Sequence, residues 1–128
     1  MLTFKTETPT ALLKKFEDAI AGKGSGKEID TWVKVATGAH KGKFTHTSPR
    51  QKEKAYFAAS VGTGHLDFKI SWPDDKWPAD GDFMYAYYHG HLSETFLHHF
   101  RESFSTLTAT AKPYVPPKPS TSTPAKSA

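Results

Sequence analysis

The stretch YAYYHGHLSETFLHHF, from Tyr85 to Phe100, decides how the fold is interpreted. The residues before Gly90 are apolar on both alternating faces, which is typical of a strand that is covered on two sides. After Gly90, apolar residues recur at helical spacing. The pattern therefore predicts a central strand over 83–89, a break at Gly90, and a helix from about 91 to 107. The buried stripe of this helix is predicted to contain Leu92, Phe96, Leu97, Phe100, Phe104 and Leu107.

An amphipathic helix is predicted near the start of the chain. Thr8 and Pro9 suit the N-cap and the first helical position, and Gly22 suits the position just after the end. Its apolar stripe is Leu12, Leu13, Phe16, Ala19 and Ile20. The short stretch LTFK before it, residues 2–5, is predicted to form an edge strand.

Two β-hairpins are predicted in the middle of the chain. The first joins TWVKVAT (31–37) to KFTHT (43–47), and the second joins AYFAASV to HLDFKISW through Gly62-Thr63-Gly64. The predicted fold is therefore a single α+β domain. Its antiparallel sheet has four to five strands, namely two hairpins plus one strand, and packs against an N-terminal and a C-terminal helix.

The last 17 residues differ in composition from the rest of the chain. Residues 112–128 are rich in Pro, Ser, Thr and Lys, so we expect a disordered tail after a domain at 1–111. The segment GKGSGKE, Gly22 to Glu28, is predicted to be a flexible connection. The formal net charge is +4, but residues 1–111 carry 14 basic and 13 acidic groups, so the domain is nearly neutral.

Composition and motifs exclude several classes. The chain has no cysteine, no apolar run long enough to span a membrane and no secretory signal pattern, so we expect no membrane association and a cytoplasmic location. No phosphate-binding loop, dinucleotide fingerprint or serine-hydrolase motif occurs. The sequence therefore predicts no cofactor, and it favours a non-catalytic protein over an enzyme.

The loop WPDDKWPADGDF, residues 72–83, is the most unusual segment. Its prolines restrict the backbone, so Trp77 is predicted to be a rigid aromatic anchor between acidic residues. A second exposed corner is predicted at Tyr87–His91, where the strand would turn into the helix. The leading hypothesis is a small binding protein that acts through a protein partner, such as an inhibitor, an immunity-type factor or an adaptor. The predicted contact residues are Trp77, Asp74, Asp75, Asp80, Tyr87, His89 and His91.

A basic segment over residues 40–54 supports an alternative hypothesis, nucleic-acid binding. Its cationic residues are Lys41, Lys43, Arg50, Lys52 and Lys54. They are predicted to contact phosphates, while Phe44 and Tyr56 would stack on bases.

A third hypothesis is a metal-dependent or histidine-based enzyme. His91, Glu94 and His98 are spaced i, i+3 and i+7, which places them on one side of the predicted helix. Two imidazoles and a carboxylate are a suitable ligand set for zinc. The same spacing is also typical of an ordinary solvated helix surface, and the patterns do not indicate an oligomeric state.

Overall fold

The structure is a computed structural model that describes residues 1–22 and 29–111 of the 128-residue chain. Its elements are β1 (Leu2–Lys5), α1 (Pro9–Ala21), β2 (Trp32–Lys34), β3 (Phe44–His46), β4 (Tyr56–Gly62), β5 (His65–Ser71), α2 (Gly81–His99) and β6 (Thr106–Ala109). A 3₁₀ turn at Arg101–Ser103 joins the last two. The α+β class is confirmed, with six strands where four to five were predicted. The predicted tail at 112–128 and the predicted connection at 23–28 lie outside the described residues.

The bounds of α1 agree with the prediction. Pro9 occupies its first position, and Gly22 follows its last residue with a left-handed φ of 78°. A glycine accepts this conformation without the steric cost that a side chain would add. Thr8 precedes the helix as expected, although its side chain makes no capping hydrogen bond. The inward stripe is buried, with Leu12 and Phe16 fully enclosed.

The six strands form one antiparallel sheet in the order β2-β3-β4-β5-β1-β6. Both predicted hairpins are confirmed, since β2 pairs with β3 and β4 pairs with β5. The prediction that residues 2–5 form an edge strand is wrong, because β1 lies between β5 and β6. Leu2 is opposite Phe68 on one side and Ala109 on the other. A four-residue alternating pattern does not tell how many neighbours a strand has.

The prediction of a strand over 83–89 is wrong, because these residues belong to α2. Met84, Tyr88 and Leu92 recur every four residues and are all buried, so helical periodicity accounts for the inward face. A short run that is apolar on both sides fits either structure, and length is then the deciding criterion. Gly90 lies inside the helix on its exposed side and does not break it.

The far end of α2 also differs from the prediction. The helix stops at His99, and Phe100 is its C-cap. Phe104 follows the 3₁₀ turn, and Leu107 belongs to β6, so neither extends the helical stripe. Leu97 was expected to be buried but is 45% exposed.

Both helices cover the same face of the sheet, and the core between them is rich in aromatic rings. Phe4 of β1 stacks on Phe96 of α2 with ring centroids 4.2 Å apart. Phe16 of α1 packs edge-on against Phe68 of β5 at 5.9 Å and lies 5.1 Å from Phe96. Such pairs contribute about 0.5–1.5 kcal/mol beyond the burial of their surface. This core fixes α2 on the sheet and leaves its opposite side facing solvent.

Candidate functional site

The solvent-facing side of α2 carries no charged residue between Asp82 and Glu94. Phe83 is 57% exposed and Leu97 is 45% exposed. Together with the residues between them on the same side, they form what we call the outer face of α2, which consists of Phe83, Ala86, Tyr87, Gly90, Glu94 and Leu97, with Glu94 as a charged residue near its far end. A helix that is apolar on its outward as well as its inward side is normally covered by another element.

The outward side of α1 has the opposite character and serves as an internal comparison. Lys14 and Lys15 are exposed there, and Lys14 forms an ion pair with Asp18 at 2.9 Å. This is the usual surface of a helix whose outer side meets water. The same protein therefore solvates one helix with charges and leaves the outward side of the other uncharged between Asp82 and Glu94.

Aromatic rings line one flank of the outer face. The Phe83 and Tyr87 rings have centroids 5.9 Å apart, and the Tyr87 ring stacks on His91 at 5.0 Å with an interplanar angle of 16°. Residues four apart lie one above the other along a helix, which explains the contact. Because each ring supports the next, this flank loses little side-chain freedom when another surface covers it.

His46 of β3 lies directly behind this flank and is only 2% exposed. Its ring centroid is 5.1 Å from Trp32, 5.2 Å from Tyr87 and 4.6 Å from His91. Sequence reasoning did not select His46, because its imidazole partner is 45 positions away in the chain. No pattern in the short strand FTH distinguishes a histidine with such a partner from an exposed one.

Hydrogen bonds fix the proton positions in the His46–His91 pair. The backbone N–H of Ser48 donates to Nδ1 of His46 at 3.0 Å, so this nitrogen carries no hydrogen. Neutral His46 therefore carries it on Nε2 and donates to Nδ1 of His91 at 2.7 Å. His91 in turn carries its hydrogen on Nε2, which faces Oε1 of Glu94 at 3.8 Å.

The pair is built for neutral imidazoles. Burial, with a further contribution from the neighbouring His91, lowers the pKa of His46 to about 4. A proton added to Nδ1 of His46 would oppose the Ser48 amide, which points its own hydrogen at this nitrogen. The structure therefore uses the two rings as a directional hydrogen-bond chain from β3 to the outside of α2.

The three residues of the metal hypothesis lie on one side of α2 but do not converge. His91, Glu94 and His98 line a shallow depression of about 240 Å³ together with Thr31, Thr95 and His99. Within residues 1–22 and 29–111, no group of three potential ligand side chains is close enough to hold a metal ion. The Nε2 that His91 would offer carries a hydrogen in the chain described above. The geometry gives the metal hypothesis no preformed site.

His89 was predicted to contact a partner, but it is buried under the start of the chain. Its Nδ1–H donates to the Tyr85 carbonyl at 2.7 Å, and its Nε2 accepts from the Met1 amino group at 3.0 Å. Burial lowers the pKa of His89 to about 4, although the bond to Tyr85 acts in the opposite direction. His89 thus supports the fold and is not part of the accessible surface, whereas Tyr87 and His91 are partly exposed.

Trp77 lies over the first turn of α2 and is 46% exposed. Its ring packs edge-on against Trp72 at 5.2 Å and lies 6.1 Å from Tyr85. The absence of a side chain at Gly81 makes room for it, since a Cβ there would be 2.4 Å from Trp77 Nε1. One part of the indole therefore closes the end of the core, and the other part is accessible.

The acidic residues of the same loop are exposed. Asp74 accepts a hydrogen bond from the Lys76 amide at 3.3 Å, and Asp75 has a left-handed φ of 62°. Asp80 precedes α2 without a side-chain capping bond. These carboxylates lie on both sides of Trp77 in the sequence. None of them forms an ion pair with another described residue.

The basic segment forms two turns on either side of a surface groove that includes His40, Lys52 and Tyr56. Its cationic residues Lys41, Arg50, Lys52 and Lys54 are exposed, and Lys43 bonds to Ser71 at 3.2 Å. The two rings expected to stack on bases are not available, because Phe44 and Tyr56 are buried. Phosphate contact by the lysines stays a prediction. Base stacking on Phe44 and Tyr56 is no longer part of the nucleic-acid hypothesis.

Comparison with protein-family models, curated proteins and solved structures finds no significant match. Among the described residues, neither helix is both long and apolar enough to cross a membrane.

Proposed function

We propose that this protein is a non-catalytic binding protein that engages a protein partner through the outer face of α2. The supporting observation is the uncharged run between Asp82 and Glu94, which presents Phe83 to solvent and is followed after Glu94 by the exposed Leu97, on a helix that the core holds rigidly. Exposed apolar surface of this kind marks interaction sites in proteins that are otherwise well solvated.

The shape of the surface favours a macromolecular ligand over a small molecule. A helix side is convex, and small ligands need concave sites that enclose most of their surface. Ala86 and Gly90 lie in the middle of the outer face, where a Cβ added to Gly90 would meet no atom within 4 Å. Small residues between larger ones let another helix approach closely. We therefore expect the partner to contribute an apolar helix.

The energetic contribution of the outer face is moderate. Full burial of a Phe or Leu side chain contributes roughly 1.5–3 kcal/mol. Phe83 and Leu97 each expose about half of their side chains, so each would contribute on the order of 1 kcal/mol on binding. Trp77 and the acidic residues around it provide a second, chemically different surface for the same class of partner.

The test replaces both large residues of the outer face. The tagged full-length protein and its Phe83→Ser/Leu97→Ser variant are used to capture partners from native lysate treated with nuclease. Capture is read by quantitative mass spectrometry. We expect a protein that is enriched by the unsubstituted chain and reduced at least tenfold by the double variant.

A matched control removes apolar surface elsewhere. Val61 of β4 is 46% exposed, which is close to the exposure of Leu97. Val61→Ser therefore removes a similarly exposed apolar side chain that does not belong to α2. This variant should capture the same protein as the unsubstituted chain. Equal capture by all three proteins, with unchanged thermal midpoints, would reject the outer face of α2 as the binding surface.

A further inference from the structure

The strand β6 forms one edge of the sheet, and no described strand covers its outer side. Within residues 1–22 and 29–111 it pairs only with β1. Thr106, Thr108 and Ala109 are exposed and Leu107 is partly buried. An open strand edge is a template for pairing with another chain, and proteins normally protect such edges with charges, prolines, bulges or short length.

The opposite edge of the sheet shows what protection looks like in this molecule. The strand β2 has three residues, and its Lys34 forms an ion pair with Glu17 of α1 at 2.8 Å. By contrast, β6 has four residues, TLTA, with neither a charge nor a proline. The two edges of one sheet therefore differ in whether a second strand can approach.

The hydrogen-bond pattern shows which backbone groups of β6 point outward. The Thr110 N–H donates to the Met1 carbonyl at 3.0 Å, which continues the register that pairs Leu2 with Ala109. Bonding alternates along an antiparallel strand, so the groups of Thr106 and Thr108 also face β1. The N–H and C=O groups of Leu107 and Ala109 therefore face away from the sheet.

The other side of β1 agrees with this assignment. The Thr6 N–H donates to the Gly64 carbonyl at 3.0 Å, so the even-numbered residues of β1 face β5. The odd-numbered residues of β1 are left to bond β6. Among them, Lys5 is opposite Thr106 and Thr3 is opposite Thr108.

We propose that β6 pairs antiparallel with β6 of a second copy of this chain, about a two-fold axis at Thr108. Leu107 of each copy then bonds Ala109 of the other, which satisfies four donors and four acceptors that face outward. The two Thr108 side chains are directly opposite each other, an arrangement that stabilises sheets by a fraction of a kcal/mol. The two sheets join into one continuous sheet.

The occupant is a second copy because the segment is self-complementary. A two-fold axis at Thr108 pairs Leu107 with Ala109 without requiring any charged residue to approach its own copy. A charged or bulky edge would have required a different, complementary strand. The paired segment is short, so we expect a dissociation constant on the order of 100 μM, typical of small and transient interfaces.

The experiment is analytical ultracentrifugation of the full chain from about 10 μM to 1 mM. We expect the weight-average mass to rise from that of a monomer toward that of a dimer. Ala109→Pro removes one outward donor but no bond to β1, and it should stay monomeric at 1 mM. Ala109→Thr keeps the donor and adds β-propensity, so it should dimerise at least as well as the unsubstituted chain.

Each remaining outcome also decides the proposal. Circular dichroism and thermal melts at low concentration establish that the variants are folded, and if Ala109→Pro is not, Ala109→Lys opposes pairing by charge repulsion instead. A chain that stays monomeric to 1 mM, or an Ala109→Lys variant that dimerises normally, overturns the proposal. Phe83→Ser/Leu97→Ser should dimerise unchanged, which separates this edge from the outer face of α2.

Discussion

His46 is bonded at both ring nitrogens, and this fixes its charge as well as its position. It accepts from the Ser48 amide on Nδ1 and donates to His91 from Nε2, so a proton added to Nδ1 would break the bond from Ser48 in a nearly inaccessible site. Trp32, Tyr87 and His91 surround it from β2 and α2. A buried base with a lowered pKa links folding to pH, since the unfolded chain binds the proton more readily.

The sequence could not reveal this residue. The metal hypothesis drew attention to His91, Glu94 and His98 because their spacing is visible along one helix. The actual partner of His91 comes from β3, and only the tertiary structure brings the two rings together. Trp72, in contrast, follows directly after β5 and continues the apolar alternation of Phe68 and Ile70, and it is buried with them.

We predict that the free energy of unfolding falls as the pH decreases from about 6.5 to about 4. The pKa values of His46 and His89 are lowered from 6.5 to about 4, so the stability that they provide is present above pH 6.5 and lost progressively below it. Each contributes on the order of 3 kcal/mol to this loss. Urea denaturation at several pH values measures it.

His46→Gln should remove about half of that pH dependence, because glutamine does not titrate and His89 remains. His98→Gln is the control, since His98 is exposed. A His46→Gln variant with the same slope as the unsubstituted protein between pH 6.5 and 5 would contradict the assignment.

The helix α2 shows why an element can be misassigned even when the fold class of the protein is predicted correctly. Its inward residues repeat every four positions, but its outward residues are apolar too, so an alternating strand pattern fits the first half equally well. The helix α1 was predicted correctly because its outward side is charged and both its ends carry recognisable residues. The same apolar outward residues that misled the prediction make α2 the proposed binding element.

Two glycines in α2 offer a matched test of the loop that precedes it. We predict that Gly81→Ala destabilises the protein by about 1 kcal/mol, because the added Cβ displaces the Trp77 ring from its contacts. Gly90→Ala should instead stabilise it by up to about 1 kcal/mol, since the position is open and alanine favours a helix. Urea denaturation measures both.

Tryptophan fluorescence reports the same change directly. In Gly81→Ala the emission should shift to longer wavelength as Trp77 becomes more exposed, whereas Gly90→Ala should leave it unchanged. Equal stabilisation by the two substitutions, without a spectral shift, would show that Trp77 does not depend on the bare backbone at Gly81.

At the scale of the whole molecule, charge distribution argues against general nucleic-acid binding. Residues 1–111 carry 14 basic and 13 acidic groups, and the rings expected to stack on bases are buried. The alternation and turn residues were enough to predict the class, both hairpins and the first helix. The strand order was not predictable, because pairing between residues far apart in sequence depends on how the helices cover the sheet.

We predict no complex with a 30-base-pair DNA duplex or with single-stranded DNA at 150 mM salt, measured by fluorescence anisotropy. Weak binding at low salt should disappear steeply as salt is added, since it would involve lysine–phosphate contacts alone. A complex that persists at 150 mM salt and is lost in Lys41→Glu/Lys52→Glu would restore the nucleic-acid hypothesis.

The interior position of β1 has a consequence for biosynthesis. Among the described strands β1 precedes the others in the chain, yet its neighbour β5 is completed at Ser71 and its neighbour β6 only at Ala109. A growing polypeptide therefore cannot complete the described sheet until β6 has left the ribosome. Until then the interior lacks its contacts with Phe104 and Leu107, of which Phe104 packs edge-on against Phe4 at 5.1 Å. Partly folded chains that expose apolar surface in this way are prone to aggregate.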